Sequence, residues 1–319
     1  MKEIGGYIEL DDFVGESYHK DAIAFNSGRS CLGFLLKERH ISKIYLPIFL
    51  CGTVKEQCEH LGVAYEYYHT DDCFKPLFNE QLADDEYLYI VNYYGQLDEQ
   101  YVLELKEKYK NIILDNAQAY FQKPITGIDT IYICRKFLGV PDGAYLYTDV
   151  TASCDVDTFE RDIVNDRMQF LYGRYEENAS KFYSQYVANN EFFANQTIKR
   201  MSKVTENILK AVCYKKVMET RQDNYQYLFD RLHTVNKLEL KKEIPGPFAY
   251  PLLIDEGNVI RKKMIECKIY IPTLWPDVLG RCKEEDVEYQ FAQNILPLPV
   301  DQRYDKNDME YIITMLKSG

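Results

Sequence analysis

The sequence lacks the cysteine, histidine and glycine patterns that mark several common kinds of site. Its 9 cysteines include no CxxC pair, and their odd number and scatter predict reduced thiols instead of a disulfide framework. None of its 5 histidines has an HExxH or similar ligand spacing, so we expect no metal site. The chain has neither a Walker A pattern nor a GxGxxG fingerprint, and neither nucleotide-binding loop is expected.

A positive net charge and long apolar runs are also absent. The formal net charge of −12 argues against non-specific binding to nucleic acid or to an anionic membrane. No apolar run approaches the roughly 18 residues of a membrane-spanning helix, and Met1-Lys2-Glu3 does not begin a signal-peptide pattern. We therefore expect a cytoplasmic protein whose partners include neither nucleic acid nor a membrane.

Strand-like and helix-like segments alternate from about residue 21 to 150. The strands are nearly continuous apolar runs, as expected when both faces of a sheet are covered. This alternation predicts an α/β domain with a mostly parallel central sheet. The predicted strands are Lys43–Pro47, Ala64–Tyr68, Glu86–Tyr93, Asn111–Asp115, Thr130–Cys134 and Ala144–Thr148, and the predicted helices are Ser30–Glu38, Thr53–Leu61 and Glu99–Tyr109.

The rest of the chain divides into a helical part and a second α/β unit. Residues 156–233 have apolar residues at helical spacing, which predicts long helices without strands. The elements predicted after them are strand Phe248–Ile254, helix Val259–Cys267, strand Ile269–Ile271 and helix Lys306–Leu316. Three regions are therefore expected: an N-terminal arm (1–20), a large domain (21–233) and a small C-terminal α/β domain (234–319).

Two polar residues follow neighbouring predicted strands at their carboxyl ends, where open α/β sheets bind ligands. Asp115 ends the strand in "IILDNAQAYF", and Lys136 follows the strand in "IYICRKFLGVPDGA". A lysine and a carboxylate suit pyridoxal phosphate, which needs an amine for its Schiff base and an acid beside its pyridine nitrogen. In "FNSGRSCLGFLL", Gly28, Arg29 and Ser30 open a helix whose backbone N–H groups can bind the phosphate.

Each of these pieces also has a purely structural interpretation. Lys136 can lie on the solvated rim of a hairpin that turns at Pro141-Asp142-Gly143. Asp115 can cap a helix or a turn, and the Ser-Gly before the helix can be a cap only. Any one piece alone leaves both interpretations open.

Taken together and in this order, the pieces resemble the DegT family of sugar aminotransferases, which are fold-type-I pyridoxal-phosphate enzymes. The most specific motifs are Asp-x-x-Gln at Asp115 and Lys-x5-Asp-Gly at Lys136. The matching segments, which extend over most of the chain, are "NSGRS" (26–30), "IYLPIF" (44–49), "VNYYGQ" (91–96), "LDNAQAY" (114–120), "RKFLGVPDGA" (135–144), "IYIPTLWP" (269–276) and "LPLPVDQRY" (296–304).

The resemblance implies a role for each matching residue. Lys136 would be the Schiff-base lysine, and Asp115 would be the partner of the pyridine nitrogen. Gln118 would lie near the phenolic oxygen of the cofactor, and residues 28–30 would donate backbone N–H groups to its phosphate. Lys136 favours transamination, since dehydratase relatives have a histidine in its place.

Two departures from the family pattern concern the binding of the cofactor. Members carry a serine shortly before the lysine that helps to hold the phosphate, whereas this stretch contains Ile131, Ile133 and Cys134. Phe49 is the candidate for the aromatic ring that stacks on the cofactor, but the position that matches the family's aromatic is Cys51.

The resemblance implies an aminotransferase that acts on a keto sugar, nucleotide-linked, with an amino acid such as glutamate as the amino donor. It also implies a homodimer whose subunits complete each other's cofactor pockets, and C2 dimers are the commonest assembly. The two departures motivate an alternative, namely a degenerate, non-catalytic member that binds a ligand or acts in regulation.

Two C-terminal loops are expected to border the mouth of the site. Trp275 lies between two prolines and suits a sugar or base face, while Arg303 suits a carboxylate or phosphate and precedes Tyr304. The structural alternative is that Trp275 fills the junction between the lobes and that Arg303 pairs with Asp301 or Asp305.

Overall fold

A computed structural model describes residues 4–150, 155–194 and 196–318. The strands are β1 (Ile23–Phe25), β2 (Lys43–Pro47), β3 (Ala64–Thr70), β4 (Pro76–Leu77), β5 (Glu86–Val91), β6 (Ile112–Asp115), β7 (Asp129–Ile133), β8 (Ala144–Tyr147), β9 (Ala249–Leu253) and β10 (Ile295–Pro299). The α-helices are α1 (Gly28–Glu38), α2 (Gly52–Leu61), α3 (Glu99–Tyr109), α4 (Gln169–Glu176), α5 (Tyr183–Phe192), α6 (Lys203–Lys210), α7 (Tyr214–Leu232), α8 (Gly257–Glu266), α9 (Val287–Asn294) and α10 (Lys306–Ser318).

The large sheet has eight strands in the order β1-β8-β7-β6-β5-β2-β3-β4. Its centre, from β3 through β2, β5 and β6 to β7, is parallel, while β4, β8 and β1 are antiparallel to their neighbours. The predicted fold class, an α/β fold with a mostly parallel central sheet, is therefore confirmed. The six strands predicted in this region agree with β2, β3, β5, β6, β7 and β8 to within about two residues, which is the usual uncertainty of element boundaries.

Alternate residues of the central strands pack on opposite faces of the sheet, as the pleat requires. On β5, Leu88 and Ile90 join a buried cluster that includes residues of α3. Tyr89 and Val91 join a second cluster that includes residues of α1. Because both faces are covered, the polar residues of these strands are concentrated where the strands end.

The sequence between β1 and α1 determines where α1 begins. The hydroxyl oxygen of Ser27 accepts the N–H of Ser30 at 3.2 Å, which is a helix N-cap. A Cβ atom at Gly28 would lie 2.5 Å from Cδ1 of Ile133 on β7. A side chain at this position would displace the end of the Ile133 side chain, so glycine lets the start of α1 approach the end of β7 this closely.

The prediction of long helices in residues 156–233 is wrong for all but α7, which has 19 residues. The other helices there have 8 or 10 residues. Between α5 and α6 the backbone runs beside β1: the N–H of Asn26 donates to the carbonyl of Lys199 at 3.0 Å, and that of Met201 to Ala24 at 3.2 Å. These backbone groups are used in sheet-like pairing, so apolar residues at helical spacing do not form a helix here.

The C-terminal part contains an antiparallel sheet of β9 and β10. The predicted strand Ile269–Ile271 is wrong, because the N–H of Ile269 donates back to Met264 of α8 at 2.9 Å and the chain is irregular beyond it. The second strand is β10, which was not predicted because its sequence ILPLP contains two prolines.

Two findings bear on the composition-based expectations. The eight described cysteines are all free, while Cys154, like Met1-Lys2-Glu3, lies outside the described residues. Among the helices that the structure describes, none has both the length and the apolar character that crossing a membrane requires.

Candidate active site

Asp115 and Lys136 lie at the carboxyl ends of neighbouring parallel strands. Asp115 is the last residue of β6 and is paired with Ile131 of β7. Lys136 ends the short 3-10 turn Cys134–Lys136 that follows β7 directly. The expectation that both residues follow neighbouring strands is therefore confirmed, while their chemical roles stay predictions.

Asp115 is a buried carboxylate held by two donors. Its Oδ1 atom accepts the backbone N–H of Ala117 at 2.8 Å, and Oδ2 accepts the hydroxyl of Tyr89 at 2.9 Å. Burial raises the pKa of Asp115, while the positive charge of Lys136 and these two hydrogen bonds act against that rise. The contact with Ala117 is the turn contact of the structural interpretation, and it coexists with the electrostatic interaction between Asp115 and Lys136.

Lys136 is exposed as a residue, but its amine interacts with Asp115, Cys51 and the ring of Phe248. Its Nζ atom lies 5.8 Å from the centroid of that ring. Protein atoms still surround the amine closely enough for desolvation to lower the pKa of Lys136, whereas Asp115 and Cys51 raise it. β7 and β8 do form the antiparallel pair of the hairpin interpretation, and the turn after β7 places the lysine at the same end of the sheet as Asp115.

Gln118 carries a buried donor without an acceptor. Its Oε1 atom accepts the N–H of Tyr94 at 2.8 Å, but no described residue accepts from Nε2, although Gln118 is only 2% exposed. A buried amide nitrogen without a partner costs free energy, so this donor is suited to an acceptor that binds beside Asp115. The phenolic oxygen that the resemblance assigns to Gln118 is such an acceptor.

Residues 28–30 form the first turn of α1, next to the end of β7. The first N–H groups of a helix have no partner within the helix and favour anions. The N–H of Ser30 is already bonded to Ser27, which leaves those of Gly28 and Arg29 for a ligand. The guanidinium of Arg29 forms an ion pair with Glu56 at 3.3 Å.

The family's serine position provides no hydroxyl in this chain. Ile131 and Cys134 are buried in the core, and Ile133 packs against Gly28. The next residue, Arg135, is a half-buried cation whose side chain donates to Oδ1 of Asn190 at 2.7 Å and lies 4.6 Å from the ring centroid of Phe193. Burial lowers the pKa of Arg135 to about 10, and no carboxylate within the described residues forms an ion pair with it.

Phe49 lies in an aromatic cluster between the two sheets. Its ring meets that of Trp275 edge-on at 4.7 Å between centroids, and its carbonyl accepts the hydroxyl of Tyr93 at 2.5 Å. Cys51 interacts electrostatically with Lys136, which raises the pKa of the lysine. Trp275 has φ = 53° and also packs on Tyr93 at 5.6 Å, which is the junction-filling position of the structural alternative.

Arg303 pairs with Asp301 through two hydrogen bonds, from Nε at 2.6 Å and from an Nη atom at 2.7 Å. Its guanidinium lies 5.2 Å from the ring centroid of Tyr304, which packs against the cluster on the small sheet. This is the pairing that the structural alternative describes. Substrate binding by Trp275, Arg303 and Tyr304 stays a prediction.

Sequence reasoning did not identify Tyr89 or Arg135 as parts of the site. Tyr89 lies inside the apolar run of β5, and its hydroxyl meets Asp115 only because β5 and β6 are neighbours in the sheet. A tyrosine two residues before the end of such a strand is the one available signal. Arg135 precedes Lys136 directly and resembles a surface residue in sequence.

No protein-family model matches the chain, and no curated protein matches it by sequence. Solved structures do match it. The chain has the fold of the DegT-type sugar aminotransferases. A DegT/DnrJ/EryC1/StrS aminotransferase from Brucella abortus matches with a TM-score of 0.65 and 15% identity, over 93% of this chain and 85% of that one.

Two further structures give similar values. DesV from S. venezuelae, solved in complex with a ketimine intermediate, matches with a TM-score of 0.64 and 14% identity over 95% of this chain and 85% of its own. NtdA from Bacillus subtilis, solved with bound PMP, matches with a TM-score of 0.65 and 12% identity over 93% of this chain and 72% of that one. At these identities the likeness establishes the shared fold, and the activity has to be argued from the site.

Proposed function

We infer that the protein is a pyridoxal-phosphate-dependent aminotransferase that acts on a keto sugar, nucleotide-linked, with an amino acid such as glutamate as the donor. The observation that carries this proposal is the location of Lys136, Asp115 and Gln118 at the carboxyl ends of β6 and β7, where Nε2 of Gln118 has no partner among the described residues. These three groups suit the aldehyde, the ring nitrogen and the phenolic oxygen of one cofactor. The cofactor carried by the structurally similar NtdA supports the same assignment.

When it is bound, the cofactor supplies an electron sink for the negative charge that develops on the amino acid carbon. Lys136 holds the cofactor and, as a free amine, removes and returns the proton at that carbon; desolvation lowers the pKa of Lys136 and so favours the free amine. Asp115 keeps a proton on the ring nitrogen through a charged contact in a partly desolvated site. Gln118 orients the ring oxygen, and the N–H groups of Gly28 and Arg29 bind the phosphate.

The alternative function is a non-catalytic member of the same fold that binds a ligand or acts in regulation. The absence of a serine from the stretch of Ile131, Ile133 and Cys134 is the observation that favours it. A weakened hold on the phosphate would leave the fold intact but reduce the occupancy of the site.

The absorbance spectrum separates the two functions. We expect the purified protein, incubated with pyridoxal phosphate, to show the visible band of a lysine-bound cofactor, and borohydride to fix the cofactor on the peptide that contains Lys136. Turnover with glutamate and a nucleotide-linked keto sugar should then follow. A protein without the band, or a label on another lysine, would contradict the aminotransferase assignment.

The assembly, the domains and the location belong to the same proposal. We expect a homodimer that places the active sites at the subunit interface, a large domain of residues 21–233, a small domain of residues 234–319, and an N-terminal arm of residues 1–20, in a cytoplasmic protein. Light scattering at micromolar concentration tests the dimer: a fully active monomer would contradict it.

A further inference from the structure

Tyr89 contacts Asp115 from the neighbouring strand. β5 and β6 are parallel with Val91 opposite Asp115, and Tyr89, two residues before Val91, points to the same face of the sheet. Its hydroxyl donates to Oδ2 of Asp115 at 2.9 Å, and the two side chains belong to residues that are 2% and 8% exposed. Both partners therefore meet away from bulk water, where a hydrogen bond to a carboxylate is strong.

The two oxygens of Asp115 each have one fixed donor. Oδ2 accepts from Tyr89, and Oδ1 accepts from the backbone of Ala117 at 2.8 Å. Two donors from different elements determine the plane of the carboxylate, while an ionised carboxylate still has further lone-pair sites for a third partner. The ring nitrogen of the proposed cofactor is a partner of this kind.

Within the described residues, the titratable groups that interact with Asp115 are Lys136 after β7, Tyr89 on β5, Tyr93 after β5 and Cys31 on α1. Burial raises the pKa values of both tyrosines and of the thiol well above their ordinary values, so these three groups are neutral at neutral pH. Lys136 is thus the one charged partner among them. Because Tyr89 keeps its proton, it acts on Asp115 as a hydrogen-bond donor.

We propose that Tyr89 is a positioning residue, which holds the carboxylate of Asp115 in one orientation and in its ionised form and thereby strengthens the binding of a protonated pyridine ring. The proposal rests on the proposed function, because it needs the cofactor's ring nitrogen beside Asp115. It assigns to Tyr89 no direct contact with the cofactor.

A double-mutant cycle on the apo-protein tests this role. The probe is 4′-deoxypyridoxine 5′-phosphate, which has the ring nitrogen and the phosphate but no aldehyde, and its affinity is measured by calorimetry. Tyr89→Phe should weaken the binding by about tenfold or more, the usual effect of losing a hydrogen bond to a charged group. In an Asp115→Asn background the same substitution should leave the affinity unchanged.

Tyr68→Phe is the matched control. The hydroxyl of Tyr68 is also buried and donates to the backbone carbonyl of Tyr89 at 2.7 Å, without contacting Asp115. Its loss should lower the unfolding temperature but leave the probe affinity as in the wild type. Equal losses of affinity for Tyr89→Phe in both backgrounds, or an equal loss for Tyr68→Phe, would reduce Tyr89 to a packing residue and overturn the proposal.

The pH dependence gives a second readout. Without the donor, the pKa of Asp115 should rise further, so the binding of the probe should be lost at a higher pH on the acidic side. If Tyr89→Phe does not fold, 3-fluorotyrosine at position 89 alone tests the same bond. Its phenol is more acidic, so the pH at which binding of the probe is lost on the acidic side should fall. An unchanged pH for this loss overturns the proposal. A wild-type protein that does not bind the probe at all would instead refute the cofactor assignment, and the role of Tyr89 with it.

Discussion

The ends of β6 and β7 differ from the C-terminal loops in how far their polar groups are already paired. At the strand ends, Nε2 of Gln118 has no acceptor, and Lys136 has no ion pair within 4.0 Å in the part of the chain that the structure describes. In the C-terminal loop, Arg303 already gives two hydrogen bonds to Asp301. Polar groups that fold without partners indicate a binding site more strongly than residue types that merely suit a ligand.

The largest expected effect is that of removing Lys136. Lys136→Ala should abolish both the visible absorbance of the bound cofactor and turnover, because Lys136 is the amine that holds the cofactor in the proposed function. Lys123→Ala, which removes an exposed lysine of the loop after β6, is the control and should leave both unchanged. An unaltered visible spectrum in Lys136→Ala would place the reactive amine elsewhere.

Asp115→Asn should slow proton abstraction by about 10²–10³-fold, the usual effect of removing one preorganised electrostatic group. The protein should remain loaded, because Lys136 and the phosphate contacts still hold the cofactor. Single-turnover kinetics with the amino donor measure the step. Asp129→Asn breaks the 2.8 Å ion pair with Arg39 at the opposite end of the sheet, and it should lower stability without slowing this step. A rate for Asp115→Asn within a few-fold of wild type would show that the assignment is wrong.

Gln118→Glu sharpens the comparison, since it keeps an oxygen for the N–H of Tyr94 but removes the free donor. We expect a displaced absorbance maximum and a loss of about tenfold in kcat/KM, the value of one hydrogen bond made in the site. Gln122 is the control, because its two ends are already bonded to Asn92 and Gly95 at 2.8 Å each. Gln122→Glu should affect stability alone. The same spectral change in Gln118→Glu and Gln122→Glu would show that Gln118 has no special role at the cofactor.

The pKa of Lys136 provides a test on the apo-protein. Competitive acetylation across a pH series, read by mass spectrometry, should give a pKa for Lys136 below the ordinary lysine value of about 10.4. The pKa should fall further in Asp115→Asn, because the anion that favours the ammonium form is lost. An unperturbed pKa in both proteins would argue against a desolvated amine beside Asp115.

The smallest effect is expected at Arg303. If it binds the anionic group of the substrate, Arg303→Ala should raise KM several-fold, about the loss of one exposed charged contact, and leave the cofactor spectrum intact. An unchanged KM together with a lower melting temperature would show that Arg303 serves only its structural pair with Asp301. Asp301→Asn separates substrate binding from this structural role, because it releases the guanidinium. The substitution should lower KM only if Arg303 binds the substrate.

Most of the parallel core and the identity of its end residues could be predicted from local patterns. β2, β5 and β6 are apolar runs whose length and composition allow little else, and Asp115 ends one of them. The prediction failed where pairing was non-local. Ile198 and Met201 have helical spacing, but the backbone beside them forms hydrogen bonds with β1. The two prolines of β10 argued against a strand, yet this segment pairs with β9.

The sequence by itself determined the alternating α/β order, the N-cap of α1 and the placement of a carboxylate and a lysine after neighbouring strands, because each depends on residues close together in the chain. The tertiary structure decided which groups meet. Only strand order brings the hydroxyl of Tyr89 to Asp115, and only the packing of the described residues leaves Nε2 of Gln118 without an acceptor while Arg303 finds Asp301. Such contacts join separate elements, so no local pattern records them.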